Sequence, residues 1–352
     1  MRPRREPRTG TDGLTGAGRT TPEEARGARR HLGRGVSGTR PPLTADEILA
    51  GVDLRGRVAV VTGASGGLGL QTASSLAAAG ADVVMGMRDS EHGRAAAERV
   101  AAAAAPGARV SSEALDLASL EAVRGFAAAV LARHDRIDLL VNNAGVMAGS
   151  LVRTAEGFEY DIGINHLGHF LLTTLLAPAL IAAAPARVVN ISSRAHRSSD
   201  IIWDDPHFRS APFDKFAAYG QSKTANSLFS VELDRRLGPR GVRAYAVFPG
   251  HVETGLFRDL NTADWDQLSA RLPAGHAAPL SVEAGAATIV WAATSPGLDA
   301  VGGVYLENCH VGEELAEPGA PEGYMPHAVD PVSAARLWEW SEREVGQAAI
   351  GG

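Results

Sequence analysis

The chain has 352 residues, of which 45% are hydrophobic and 21% charged, and its formal net charge at pH 7 is -6. This composition is typical of a soluble globular protein with one large domain or two small ones. The charge is uneven: residues 1–40 contain ten Arg and four acidic residues, which leaves a net charge of about -12 on the remainder. Such an acidic body argues against nucleic acid as a partner.

The N-terminal segment 1–42 is rich in Gly, Pro, Thr and Arg and has almost no large apolar side chains. A segment of this kind cannot bury a core, so we expect a disordered extension. Neither of its two arginine pairs precedes the apolar run of an export signal. No apolar run of about 18 uncharged residues is evident, and the single Cys309 fits a reducing compartment. The sequence therefore predicts a cytoplasmic protein without a membrane span.

Residues 57–80, RVAVVTGASGGLGLQTASSLAAAG, organise the rest of the chain. Residues 58–61 are apolar without alternation, which predicts a strand buried on both faces of a parallel sheet. Gly63, Gly67 and Gly69 then let the backbone turn sharply, approach a pyrophosphate and open into a helix whose first amides face the anion. By itself, such a turn could also be only a tight strand-to-helix connection.

Strands and helices alternate along the chain, without a linker that would mark a domain boundary. The predicted strands are 58–61, 82–87, 109–115, 137–142, 187–191, 242–247 and 303–306. The predicted helices are 43–54, 70–80, 90–105, 119–134, 156–184, 217–237, 282–294 and 331–345. Segments 194–216 and 255–279 interrupt this pattern. We predict one α/β domain over 43–346, a doubly wound Rossmann-type fold with a mainly parallel sheet and helices on both faces, followed by a flexible C-terminus at 347–352.

Tyr219 and Lys223 are four residues apart on a predicted helix and therefore share one face. A tyrosine with an ordinary pKa of about 10 is a poor base at neutral pH, and a nearby cation lowers that pKa. The pair could then exchange a proton with an alcohol or carbonyl. Only two of the 34 basic residues are lysines, Lys215 and Lys223. An arginine cannot replace a compact ammonium on a slim stem, which favours a specific role for Lys223.

Three more motifs occur in order along the chain. Asn142-Asn143-Ala144-Gly145 closes the fourth strand, Asn165 lies in the long helix, and Ser192-Ser193 closes the fifth strand. With these motifs, nearly all of residues 55–310 resembles the short-chain dehydrogenase/reductase family.

The resemblance implies a role for each of four side chains. Tyr219 would be the acid/base, Lys223 would lower its pKa and hold the cofactor ribose, and Ser193 would orient the substrate oxygen. Asn165 would anchor a water that links Lys223 to solvent. Ser193 is preferred to Ser192 because the family places its serine second in such a pair.

Cofactor choice is predicted from the end of the second strand. There an acidic residue selects NAD, whereas an arginine accommodates the 2′-phosphate of NADP. The position is Met87, followed by Arg88, which favours NADP(H), while Asp89 keeps NAD(H) possible. The cofactor contacts implied by the resemblance are Gly63, Ser65, Gly66, Gly67, Leu68, Gly69, Arg88, Asp116, Leu117, Asn142, Ala144, Gly145, Tyr219, Lys223, Pro249, Gly250, Val252 and Thr254.

The interval between Ser193 and Tyr219 is longer than in most of the family. In the length of this interval the chain resembles the branch of the family that contains retinol dehydrogenases, WW-domain oxidoreductases and protochlorophyllide reductases. The substrates of that branch are often lipophilic carbonyls or alcohols. The large apolar residues of segments 194–216 and 255–279 either form an apolar rim over the site or merely anchor two loops. These residues are Trp203, Phe208, Phe213, Leu256, Phe257 and Trp265.

The expected function is NADP(H)-dependent hydride transfer between the nicotinamide and a carbonyl or secondary alcohol, a small-molecule substrate. Reduction of a carbon-carbon double bond and a non-catalytic nucleotide-binding scaffold are the alternatives. A homodimer through the apolar faces of the long helix and the Tyr219 helix is possible, as is a monomer.

Two other interpretations of the histidines are disfavoured. His166 and His169 could share a helix face near Asp161, but no third metal ligand is placed, so we expect packing or hydrogen bonding and no metal. A protease-like pair of Ser193 and His196 lacks a nucleophile elbow.

Overall fold

The computed structural model describes residues 42–347, apart from residues 89, 253–254, 258–259, 263, 265, 268–278 and 318. The predicted N-terminal extension and flexible C-terminus lie outside these residues, except for residues 42 and 347.

Eight strands form one sheet in the order β3-β2-β1-β4-β5-β6-β7-β8. Their bounds are β1 Val58–Thr62, β2 Asp82–Met87, β3 Val110–Ala114, β4 Leu139–Asn142, β5 Ala186–Ile191, β6 Val242–Phe248, β7 Val304–Glu307 and β8 His310–Val311. All neighbouring pairs are parallel except β7 and β8. The predicted doubly wound sheet is confirmed, and the short antiparallel β8 was not predicted.

Eight helices of the described residues follow the predicted positions. Their bounds are α1 Ala45–Ile48, α2 Gly67–Ala78, α3 Glu91–Ala103, α4 Leu120–Leu131, α5 Tyr160–Ala183, α6 Lys215–Leu237, α7 Val282–Thr294 and α8 Pro331–Val345. Helix α1 is shorter than predicted. Thr44 and Glu47 form a capping box at its start, and the backbone of Gly51 turns to φ +80° soon after its end.

The sheet is buried on both faces, as the apolar strands predicted. In β1, Val60 packs into one cluster with α4, α5 and α6. Its neighbours Ala59 and Val61 pack into a second cluster with α2, α3 and α7. Continuous apolar strands are required for such a sheet, because helices cover each side.

Helix α5 contains six residues of π-helix, Gly163–Gly168, in its second turn. It is also long and apolar enough to cross a membrane, although 78% of the apolar window is buried inside the fold. Residues 162–186 contain no Asp, Glu, Lys or Arg, so the expectation that no such run exists was wrong. The central helix of a globular core passes the same test of length and composition.

Helix α8 packs against α5 and α6. The ring of Trp338 lies 4.9 Å from that of Phe170 on α5 and 5.9 Å from that of Phe229 on α6. Helix α8 therefore covers part of the apolar faces of α5 and α6, through which a homodimer was considered possible.

The insertion before α6 is held by polar contacts. Gln221 on α6 donates to the Pro206 carbonyl at 3.0 Å and accepts from the Ile202 amide at 2.9 Å. The Asp205 carboxylate accepts from three successive amides, those of residues 209 to 211. These contacts fix the segment that links Ser193 to the Tyr219 helix.

Candidate active site

A cavity of about 1250 Å³ lies at the carboxyl ends of β1, β4, β5 and β6. The chain reverses the direction of its winding between β1 and β4, and ligands of open α/β sheets bind at such a point. The cavity extends from the glycine turn to Tyr219 and Lys223, so both predicted halves of the site share one space. The volume exceeds that of a typical pocket for one drug-sized ligand, roughly 300–1,000 Å³.

The glycine turn depends on missing side chains. Gly63 and Gly67 adopt φ +66° and +52°, the left-handed region that favours glycine. A Cβ on Gly69 would lie 2.4 Å from the Gly63 carbonyl oxygen and 2.4 Å from Asn143 Nδ2. Gly66 faces more open space, where the nearest atom to a Cβ would be His92 Nε2 at 3.9 Å. The turn thus leaves bare backbone beside the N-terminus of α2, as an anionic diphosphate requires.

A buried hydroxyl connects this turn with the end of β4. Thr62 Oγ1 accepts hydrogen bonds from the amides of Asn143 and Ala144, at 2.9 and 3.0 Å. It lies 2.8 Å from His169 Nε2, while His169 Nδ1 lies 3.0 Å from the Asn165 carbonyl oxygen. The carbonyl can only accept, so Nδ1 carries the proton and Nε2 accepts from Thr62. The network ties the glycine turn to α5.

The β2 end of the cavity is lined by Met87, Arg88, Asp116 and Leu117, as predicted, and also by His92. The Arg88 side chain is exposed there. Asp89, which kept NAD(H) open, lies outside the described residues.

Asn142 does not line the cavity. Its amide nitrogen donates to Thr173 Oγ1 at 2.9 Å and to Asn190 Oδ1 at 2.8 Å, so the side chain joins β4 to α5 and β5. The adjacent Asn143 lines the cavity and donates to the Thr62 carbonyl. The Asn142 side chain, at the end of the strand, thus points into the core, and a cofactor contact at this residue stays a prediction.

Tyr219 and Lys223 face the same space. Lys223 Nζ lies 5.5 Å from the centre of the Tyr219 ring and donates to the Ile191 carbonyl at 3.1 Å. The Tyr219 hydroxyl is hydrogen-bonded to the side chain of Ser193. Ser192 Oγ instead binds the Lys223 carbonyl and Ser227 Oγ beneath the site. The geometry thus joins Ser193, and not Ser192, to the tyrosine.

The pKa of Tyr219 does not follow the expectation. Burial raises the pKa of this phenol, the Ser193 hydrogen bond lowers it, and the charge of Asp161 raises it further. Burial also lowers the pKa of Lys223, to about 8. The predicted lowering of the tyrosine pKa by lysine is absent because the effect of burial dominates. At neutral pH the phenol is therefore protonated.

Asn165 lies behind these residues, on the π-helical segment of α5. Its Oδ1 accepts from the Val146 amide at 2.8 Å, and its Nδ2 donates to the Val146 carbonyl and to Ser222 Oγ, each at 2.9 Å. A Cβ added to Gly145 would lie 3.4 Å from Asn165 Oδ1 and 3.5 Å from Lys223 Nζ. Asn165 thus holds the loop after β4 against the Lys223 helix.

The remaining predicted contacts follow β6. Pro249, Gly250 and Val252 line the cavity, and Gly250 has φ +89°. Thr254 lies outside the described residues. The other predicted cofactor contacts that line the cavity are Gly63, Ser65, Gly66, Gly67, Leu68, Gly69, Ala144 and Gly145.

The histidine alternatives are resolved by contacts. His166 lies 2.7 Å from Ser341 Oγ and stacks on Trp340, and burial lowers its pKa to about 3. With the contacts of His169 to Thr62 and Asn165, this confirms packing and hydrogen bonding. His196 Nδ1 lies 2.6 Å from the Ser193 carbonyl and its Nε2 accepts from the Met325 amide, so it is no base for the Ser193 hydroxyl. The protease-like interpretation is wrong.

The sequence predicted only part of the lining of the cavity beyond Ser193. It is lined by Met147, Arg194, Arg197, Phe216, Phe248, Leu256, Leu315 and Met325. Of the predicted apolar rim, Leu256 is present. Phe208 and Phe213 pack edge to face at 5.3 Å, and Trp203 stacks under Arg336 at 4.0 Å, so these three anchor the insertion. Trp265 and the side chain of Phe257 lie outside the described part of the chain.

This fold and this cavity define a dinucleotide-binding Rossmann protein. Bare backbone at the glycine turn accepts a diphosphate, and the cavity extends to a tyrosine-lysine pair. The family model for short chain dehydrogenases matches residues 57–265. The chain belongs to the short-chain dehydrogenase/reductase family, whose members are NAD(P)-dependent oxidoreductases of CH–OH and C=O groups.

Individual relatives agree with this assignment. The chain is 42% identical to a probable oxidoreductase of Streptomyces lividans, over 82% of this chain and 97% of that protein. It is 39% identical to human retinol dehydrogenase 13, over 83% of this chain and 85% of that protein. Among solved structures, the Pseudomonas aeruginosa RhlG/NADP active-site complex is 30% identical over 72% of this chain and 95% of that one, with a TM-score of 0.57.

Proposed function

We propose that this protein is an NADP(H)-dependent oxidoreductase that moves a hydride between the nicotinamide and a carbonyl or alcohol, with Tyr219 as the acid/base. The observation that carries the proposal is that the Tyr219 hydroxyl and Lys223 line the same cavity as the glycine turn.

The chain's own residues handle the proton. Because burial keeps the Tyr219 phenol protonated at neutral pH, it is ready to donate to a carbonyl oxygen as the hydride arrives. Ser193, already hydrogen-bonded to that phenol, is placed to donate to the same oxygen. Lys223 would hold the ribose of the cofactor, and when bound the nicotinamide supplies the hydride. Oxidation of an alcohol requires the phenolate, so it should accelerate as the pH rises.

NADP(H) is proposed over NAD(H) on the basis of Arg88. This exposed side chain lines the β2 end of the cavity, where a 2′-phosphate would lie. The solved relatives in complex with NADP are consistent with that choice.

The substrate is proposed to have an apolar body. Met147, Phe216, Leu256 and Met325 line the space beyond Ser193. The similarity to human retinol dehydrogenase 13, an enzyme named for a lipophilic alcohol, supports this class of substrate.

The domain bounds are proposed as 43–346, with the segments 1–42 and 347–352 outside the catalytic domain. A cytoplasmic location is proposed because the chain has a single cysteine, Cys309, which fits a reducing compartment. A monomer is proposed because α8 covers part of the faces on which a dimer would pair.

The test is a screen of aldehydes, ketones, alcohols and conjugated enones with NADPH and NADH side by side, followed by the absorbance of the reduced cofactor. We expect turnover of aldehydes or ketones, with at least about a tenfold preference for NADPH that Arg88→Ala removes. A strong NADH preference would contradict the cofactor assignment. Reduction of the enone carbon-carbon bond alone would favour the alternative reductase, and NADPH binding without any turnover would favour the scaffold.

A further inference from the structure

Arg194 directly follows Ser193 and begins a short helical turn, Arg194–Ser198, after β5. It lines the cavity, and its guanidinium carbon lies 5.9 Å from the centre of the Phe248 ring. Phe248 ends β6 and precedes the Pro249-Gly250 loop. The cation thus lies beside the reacting end of the cavity, on the far side of Ser193 from the glycine turn.

This guanidinium has no carboxylate partner in the part of the chain that the structure describes. Its contacts there are the Phe248 ring and longer-range attraction to Tyr305 and Glu307. Burial lowers the pKa of Arg194, but a guanidinium stays charged in proteins. A half-buried charge without a partner is unfavourable, so a ligand of opposite charge gains binding free energy by pairing with it.

The surroundings do not cancel the charge. Arg197, three residues on, also lines the cavity and donates its two terminal nitrogens to the carbonyls of Ala320 and Gly323. Glu307, the carboxylate whose charge acts on both arginines, accepts a hydrogen bond from the Gly323 amide, and burial raises its pKa. Two positive charges therefore act on the Glu307 carboxyl group, and the field on the arginine side of the cavity is positive.

Apolar side chains also line this end of the cavity, including Met147, Leu315 and Met325. A ligand that complements both the guanidinium and the apolar side chains has an apolar body with one anionic group. A carboxylate matches the planar fork of a guanidinium through two parallel hydrogen bonds. We infer that Arg194 binds a carboxylate of the substrate, so that the protein acts on carbonyl or alcohol compounds that carry a carboxylate on an apolar skeleton. This inference rests on the proposed function and narrows its substrate class.

The experiment compares two alcohols that differ only in charge, 4-(hydroxymethyl)benzoate and its methyl ester. Their binding to the protein loaded with NADPH is measured by titration calorimetry, because an alcohol and a reduced cofactor cannot react. We expect the carboxylate to bind at least about tenfold more tightly than the ester. Arg194→Gln should make the two affinities equal. Arg336→Gln serves as the matched control, because that arginine stacks on Trp203 outside the cavity, and it should leave the preference unchanged.

The inference is overturned if the unchanged protein binds the two alcohols equally, if it binds neither, or if the preference persists in Arg194→Gln. It is also overturned if Arg194→Gln weakens NADPH binding itself, since the arginine would then serve the cofactor. The corresponding aldehydes, 4-carboxybenzaldehyde and its methyl ester, separate this inference from the proposed function. Turnover of both at equal kcat/KM supports the function and refutes the carboxylate site. Preferential binding of the carboxylate without turnover of any carbonyl supports the site and refutes the function.

Discussion

Asn165→Ala tests whether the site is built on the hydrogen bonds of one buried amide. The side chain is fully buried and makes three hydrogen bonds, two to the backbone of Val146 and one to Ser222. Each bond contributes about 1 kcal/mol net, so alanine should lower the free energy of unfolding by about 3 kcal/mol. The loop after β4 would lose its link to α6.

The assay is urea unfolding at pH 7, followed by tryptophan fluorescence. Asn226→Ala is the matched control: this buried amide on α6 donates one hydrogen bond, to the Ile191 carbonyl, which keeps its bond from Lys223. The control should lose about 1 kcal/mol. An equal loss in both variants would refute the assigned role of Asn165.

Three further substitutions test other parts of the site. Gly69→Ala should abolish NADPH binding, measured by fluorescence, because its Cβ would lie 2.4 Å from the Gly63 carbonyl oxygen; normal affinity contradicts the glycine-turn assignment. Lys223→Arg should keep the fold by circular dichroism yet lower turnover at least about a hundredfold, because a guanidinium fork cannot replace the ammonium there; near-normal turnover contradicts this. Burial and the charge of Glu159 hold the pKa of Asp161 well above 3.8. Its stability contribution is therefore complete below pH 3.8 and lost as the pH rises through the folded-state pKa. Asp161→Asn should raise the melting temperature more at pH 8 than at pH 4, and an equal change at both would contradict the shift.

Much of the fold was predictable because the local signals agree. Continuous apolar strands and Ala-rich helices both indicated the same alternating pattern. Strand β8 was missed because it has only two residues. It follows a turn in which Asn308 and Cys309 both adopt left-handed φ, and cysteine is no sequence signal for such a turn.

The site was predictable only where residue type and spacing specify chemistry. The pairing of Tyr219 with Lys223 follows from helical periodicity. The choice between Asn142 and Asn143 depends on which side chain leaves the strand into the core, which spacing does not specify. The direction of the Tyr219 pKa shift depends on tertiary burial. Arg194 carries no motif, although its position directly after Ser193 was a signal that it borders the reacting end.

The central claim is that the Tyr219 phenol transfers the proton. The most direct measurement is turnover by Tyr219→Phe, with the best carbonyl substrate of the screen, alongside the dissociation constant of NADPH. If the phenol transfers the proton, kcat should fall at least about a hundredfold while NADPH affinity changes less than about threefold. A variant that retains its turnover with normal NADPH affinity would contradict it.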